Sequence, residues 1–128
     1  MWKHVAGVFV GLLVWIAVAL VAGVLLRWFW PEYVAASGAM AFTLPMMLTR
    51  LSIGALATIA AGALAARLGQ SNRAAIFLGA VLLVIFVPMH VHLWDKFPPW
   101  YHLTFLASLV PLAVFGGRMA QRGPKRGA

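Results

Sequence analysis

The chain has 128 residues, 64% of them hydrophobic and 9% charged, with a net charge of +8 and no cysteine. A water-soluble domain carries roughly 25% charged residues, so a single domain of this composition cannot face water on all sides, and a bilayer is the solvent that fits it. The missing cysteines exclude disulfides, thiolate metal sites and cysteine nucleophiles, and the basic residues sit in turns and the tail rather than on one face, which argues against nucleic acid as a partner.

The first apolar run, Val5 to Leu26, is long enough at about 1.5 Å per residue to cross a hydrocarbon core of about 30 Å. Lys3 and Ala17-Val18-Ala19 imitate a signal peptide and its cleavage site. The run continues past that site, however, as a retained signal anchor does. Arg27-Trp28-Phe29-Trp30-Pro31-Glu32-Tyr33 then closes it with a charge, aromatic rings and a proline, the composition of a membrane interface. From Tyr33 to Ala66 only Arg50 interrupts the apolar character. As one helix that stretch would measure about 50 Å, too long for one upright crossing. Pro45 suits a first helical turn and Thr43 a cap before it. The expectation is a short extracytoplasmic or interfacial helix over Glu32 to Phe42 and a second span from Pro45 to Arg67. A single long helix kinked at Pro45 is the competitor.

In the turn from Arg67 to Arg73, Gly69 suits a helix C-terminus and Ser71 or Asn72 the next N-cap. A third span follows over Ala74 to Trp94, with Pro88 as a kink. After the turn Asp95-Lys96-Phe97-Pro98-Pro99 comes a shorter fourth span, Trp100 to Gly117, ended by Gly116-Gly117. The expected fold class is therefore an all-α integral membrane protein, a four-transmembrane-helix bundle forming one domain over residues 1–117. Residues 118–128 form a basic, disordered tail that could attract anionic lipid headgroups, although topology setting alone accounts for its charges. Lys3, Arg67, Arg73, Arg118, Arg122, Lys125 and Arg126 fall on one side of the membrane, and Arg27, Arg50 and Lys96, with Glu32 and Asp95, on the other. The positive-inside bias places the first side, with both termini, in the cytoplasm, and the abundance of Ala, Gly and Arg over Lys points to a bacterial host and so to its inner membrane.

Three groups of residues could carry function. Arg50, Gly54, Thr58, Gly62 and Ala66 recur at intervals of four in the second span. Small residues at that spacing let backbones approach within lipid, either inside the bundle or between copies, and Gly7 and Gly11 repeat the pattern once in the first span. Arg50 itself is a charge inside a span, costing about 2.5 kcal/mol or more if it reaches the helix centre. It is expected to pair with one of the chain's two acids, Glu32 and Asp95, Asp95 preferred, or to snorkel to the interface. The third group is His90, His92 and His102 with Asp95, amid the methionines Met40, Met46, Met47 and Met89. Imidazole, thioether and carboxylate are metal ligands, but His90 and His92 point to opposite sides of a helix and the helical i, i+4 pair is missing. Interfacial histidines within a belt formed by Trp28, Phe29, Trp30, Tyr33, Trp94, Phe97, Trp100 and Tyr101 are the plainer reading. No metal or cofactor is therefore assigned.

No paired carboxylates, zinc-protease motif, nucleophile elbow or phosphate-binding loop is present. A small multidrug-type exporter shares the size and span count, but it needs an acid in the first span and Val5 to Leu26 contains none. The leading expectation is a non-catalytic accessory or assembly subunit that holds a membrane protein partner. The alternative is an oligomeric transporter or channel for a metal ion, proton or small solute, with Arg50, Asp95, His90, His92 and His102 at its outer mouth.

Overall fold

The computed structural model describes residues 2–121, and all of their regular structure is helical. Helix α1 spans Trp2–Phe29, α2 Pro31–Ala39, α3 Leu44–Gly69, α4 Asn72–His92 and α5 Pro99–Gln121, with a single 3-10 turn at Trp94–Lys96. Helices α1, α3, α4 and α5 are each long and apolar enough to cross a membrane. The chain is thus a four-helix, multi-pass bundle, with the short α2 lying between the first two spans.

The bundle has a basic end, carrying the start of α1 and the α3–α4 turn, and an aromatic end, carrying α2 and the α4–α5 turn. Lys3 donates from Nζ to Gln70 Oε1 at 3.1 Å, tying the start of α1 to the α3–α4 turn. The stretch from Tyr33 to Ala66 is two helices, not one kinked helix. Pro31 and Pro45 each stand in a first turn, where a missing N–H costs nothing. Between them the chain reverses at Met40, whose φ is 53°. Met40 and Ala41 donate backbone N–H groups to Ser37 and Ala36 in a Schellman closure.

The expected helix ends hold at Gly69, Thr43 and Ser71, and the expected end at Gly116-Gly117 needs correction. Gly69 is the last residue of α3, buried with its α-carbon against the Ala74 side chain, and the left-handed residue that follows it is Gln70, at φ 54°. Thr43 occupies the N-cap of α3 without a side-chain bond, whereas Ser71 caps α4 by accepting from the Arg73 N–H at 3.1 Å. Gly116-Gly117 do not terminate α5, which runs on to Gln121. Both glycines are there for contact. A Cβ on Gly116 would strike the Ile59 backbone, and one on Gly117 would strike Asn72 and Ala75. Residues 118–121, expected in the tail, belong to this helix, and residues 122–128 of the tail lie outside the described residues.

Between apolar helices in lipid there is no hydrophobic drive to associate, so close packing must hold them. Helix α3 supplies two small-residue faces for this. Gly54, Gly62 and Ala66 turn toward α5, meeting the Phe105 ring, the Ala113 backbone and Gly117. Ala61 and Ala65 turn toward α1, where Gly7 and Gly11 rest on their carbonyl oxygens. Ala61, Ala65, Ala74, Leu78, Leu82, Phe105 and Leu109 form the buried core. Thr58 is in the middle of α3 and is buried. Its Oγ1 donates to the Gly54 carbonyl at 2.7 Å and accepts from Trp15 Nε1 at 3.0 Å, a polar tie between α1 and α3. Helices α4 and α5 continue through Pro88 and Pro111, both on their exposed faces.

Candidate functional site

The polar residues of the aromatic end converge on Arg50. One turn and a half into α3, its guanidinium donates from Nε to the Tyr101 hydroxyl at 3.1 Å and from Nη1 to the Tyr33 hydroxyl at 2.9 Å. The same group stands over the rings of Phe42, 4.7 Å to the centroid, and Phe97, 5.6 Å. Charge-assisted hydrogen bonds contribute about 1.5–3 kcal/mol each and cation–π contacts about 0.5–2 kcal/mol. Together they offset much of what it costs to withdraw the cation from water.

The expected ion pair with Asp95 does not form. Asp95 falls in the 3-10 turn Trp94–Lys96, which leaves its carboxylate exposed. Glu32, in the first turn of α2, is likewise exposed, where a carboxylate favours the positive helix N-terminus. The neutral phenols take the place of a counter-ion. These are the chain's only tyrosines, at 8% and 4% exposure, and both end on the same guanidinium. Phe42 and Phe97 hold them in place through a run of ring contacts: Tyr33–Phe42, tilted, at 5.6 Å, then Phe42–Phe97 at 5.4 Å and Phe97–Tyr101 at 4.4 Å between centroids, both stacked.

Of the residues considered for a metal, His90 and His102 meet and His92 and Asp95 do not join them. Helix α4 stays helical through Pro88, so His92 points outward and is exposed while His90 turns into the bundle. The Nδ1 atoms of His90 and His102 are 2.7 Å apart. His102 Nε2 lies 3.2 Å from the Trp94 carbonyl oxygen and must donate to it. That leaves the Nδ1 of a neutral His102 as acceptor, so His90 Nδ1 donates to it. Trp94 stacks on His102 and Phe105 on His90, each at 4.7 Å. The two Nδ1 atoms are occupied by each other, and no group of three potential ligands gathers among the described residues.

A cavity of about 250 Å³ opens beside this network, between α1 and the other three spans. Arg50, His90, Tyr33 and Tyr101 are its polar lining residues, with Trp15, Phe86, Phe105 and Gly23 among the others. Its origin lies in the unequal packing of α1. Gly7 and Gly11 bring the first half of α1 onto the α3 backbone, whereas a Cβ built on Gly23 meets nothing within 4 Å. The helix therefore stands away from the bundle at the aromatic end.

Sequence reasoning placed Arg50 in a polar site but took Tyr33 and Tyr101 for belt residues only and passed over Phe42, Trp15 and Gly23. The signal for the tyrosines was a charge inside a span with few acids available, which requires neutral acceptors. Nothing in the spacing marked Gly23 as facing a cavity. No known family, curated protein or solved structure matches the chain.

Proposed function

We propose that this protein is a non-catalytic accessory or assembly subunit of a bacterial inner membrane, with its basic end in the cytoplasm. The observation that supports this reading is the closed interior between the cavity and the basic end. Ala57, Ala61, Ala65, Leu78 and Leu109 are fully buried there, and Gly62 lies against the Ala113 backbone. Among the described residues the buried polar groups gather at the two ends, with His90, His102, Tyr33 and Tyr101 at the aromatic end and His4 Nε2 and Asn72 Oδ1 at the basic end, and between the ends the buried polar side chain is Thr58. Thr58 is already committed to Trp15 and Gly54. A single copy therefore offers a solute no polar route from end to end. The helix α1, apolar on every side and largely exposed, is the surface a membrane partner would cover in part.

An oligomeric transporter or channel is the second reading, favoured by the cavity with Arg50 and His90, which would then be its outer mouth. It requires the path to run between copies. Extraction at native expression level in a mild detergent, with intact-complex mass and metal content measured on one sample, separates the two. A foreign subunit at fixed stoichiometry is the expected result. A homo-oligomer without partner that passes ions or solutes in liposomes would overturn the accessory reading.

A further inference from the structure

The cavity beside Arg50 has the chemistry of a ligand site, and this holds whether or not a protein partner exists. Its walls are mainly apolar and aromatic, and they carry one cation. That cation has two neutral phenols and two ring faces but no carboxylate. Its remaining N–H groups have no acceptor among the described residues, and a guanidinium fork is shaped for two oxygens of an anion. His90 lines the same cavity. With its Nδ1 committed to His102, its Nε2 is a free lone pair able to accept from a hydroxyl.

Size and position restrict the occupant further. A volume of about 250 Å³ falls below the ~300–1,000 Å³ that drug-sized ligands fill, so it holds a headgroup or a chain end rather than a whole lipid. Beyond the head, Ala19, Gly23 and Leu26 of α1 line the cavity, and the open space at Gly23 leaves a path for an alkyl chain along α1. We propose that this cavity binds the anionic, hydroxyl-bearing headgroup of a membrane amphiphile, such as a phosphate monoester. Arg50 contacts the anion, His90 Nε2 accepts from the hydroxyl, and the tail leaves past Gly23.

The test uses the full chain in phosphatidylcholine nanodiscs with radiolabelled dodecyl phosphate as probe and protein-free discs as background. The expected result is saturable binding at one per chain. Dodecylphosphocholine, with no net charge and no head hydroxyl, should compete at least ~10-fold more weakly. Gly23→Trp fills the cavity and Arg50→Gln removes the cation, and each should weaken binding at least ~10-fold. Gly38→Trp, at a position equally open but on α2 outside the cavity, should bind as the parent does. Helical circular dichroism and monodisperse elution establish that each variant is folded, and Gly23→Leu replaces Gly23→Trp should the latter fail. Absence of a saturable component in the parent chain, or unchanged binding in folded Gly23→Trp, would overturn the site. Equal competition by inorganic phosphate would overturn the amphiphile and assign a soluble anion instead.

Discussion

Arg50 shows how a charge can be kept inside a span without a counter-ion. Two phenol oxygens accept from it and two phenyl faces cover it, so the hydration it loses is replaced by fixed dipoles and ring quadrupoles. The consequences are specific to the phenols. Tyr33→Phe and Tyr101→Phe should each lower stability in detergent by about 1–3 kcal/mol, read as a drop in the thermal unfolding midpoint. Asp95→Asn should change it by less than about 0.5 kcal/mol, as at any exposed surface position. A loss in Asp95→Asn comparable with that in Tyr101→Phe would restore the ion pair. Thr58→Val should cost less, about 0.6–2 kcal/mol, because the unfolded chain in a membrane also finds partners for Trp15.

At the scale of elements, the glycines divide by what stands over them. Gly62 is pressed against the Ala113 backbone, which cannot rotate away as a side chain can, whereas Gly38 in α2 faces open space. Gly62→Ala should therefore destabilise by about 1–3 kcal/mol despite the better helix former. Gly38→Ala should stabilise by about 0.5–1 kcal/mol. A rise in unfolding midpoint for both would mean that Gly62 does not rest on the Ala113 backbone. The two Schellman closures carry Met40 and Gln70 in left-handed backbone, where a Cβ is strained and glycine is the usual residue. Met40→Gly should add about 1 kcal/mol, measurable as slower thermal aggregation in detergent as well as a higher midpoint.

The whole molecule is asymmetric along its axis. It is sealed at the basic end by glycine and alanine contacts and opened at the aromatic end where α1 stands off. The proposed orientation puts the cavity on the outer face of the membrane. The absence of cysteine makes that simple to check, because a single introduced thiol is the only label site. In intact cells a membrane-impermeant maleimide should react with Gly38→Cys, and with Gln70→Cys only after lysis, both positions being exposed. The reverse pattern would turn the bundle over.

The sequence by itself determined the fold class, the number of spans and their boundaries to within a few residues. The first span, expected from Val5 to Leu26, runs from Trp2 to Phe29. These features are legible because hydrocarbon thickness sets span length and because proline and interfacial aromatic residues mark the ends. Serine at position 71 likewise announces its cap, a contact made two residues away. Only the tertiary structure decided the site. Arg50 reaches partners 17 residues before it and 51 after it, and the pattern of the chain ranks an acid above a phenol for that role. The 3-10 turn that carries Asp95 outward reverses the ranking. Opposite directions for His90 and His92 follow from helix geometry, but which of the two faces the bundle depends on the rotation of α4 against α5. That rotation is fixed by Gly79 lying on Val110, a contact between backbones that no spacing within either helix records.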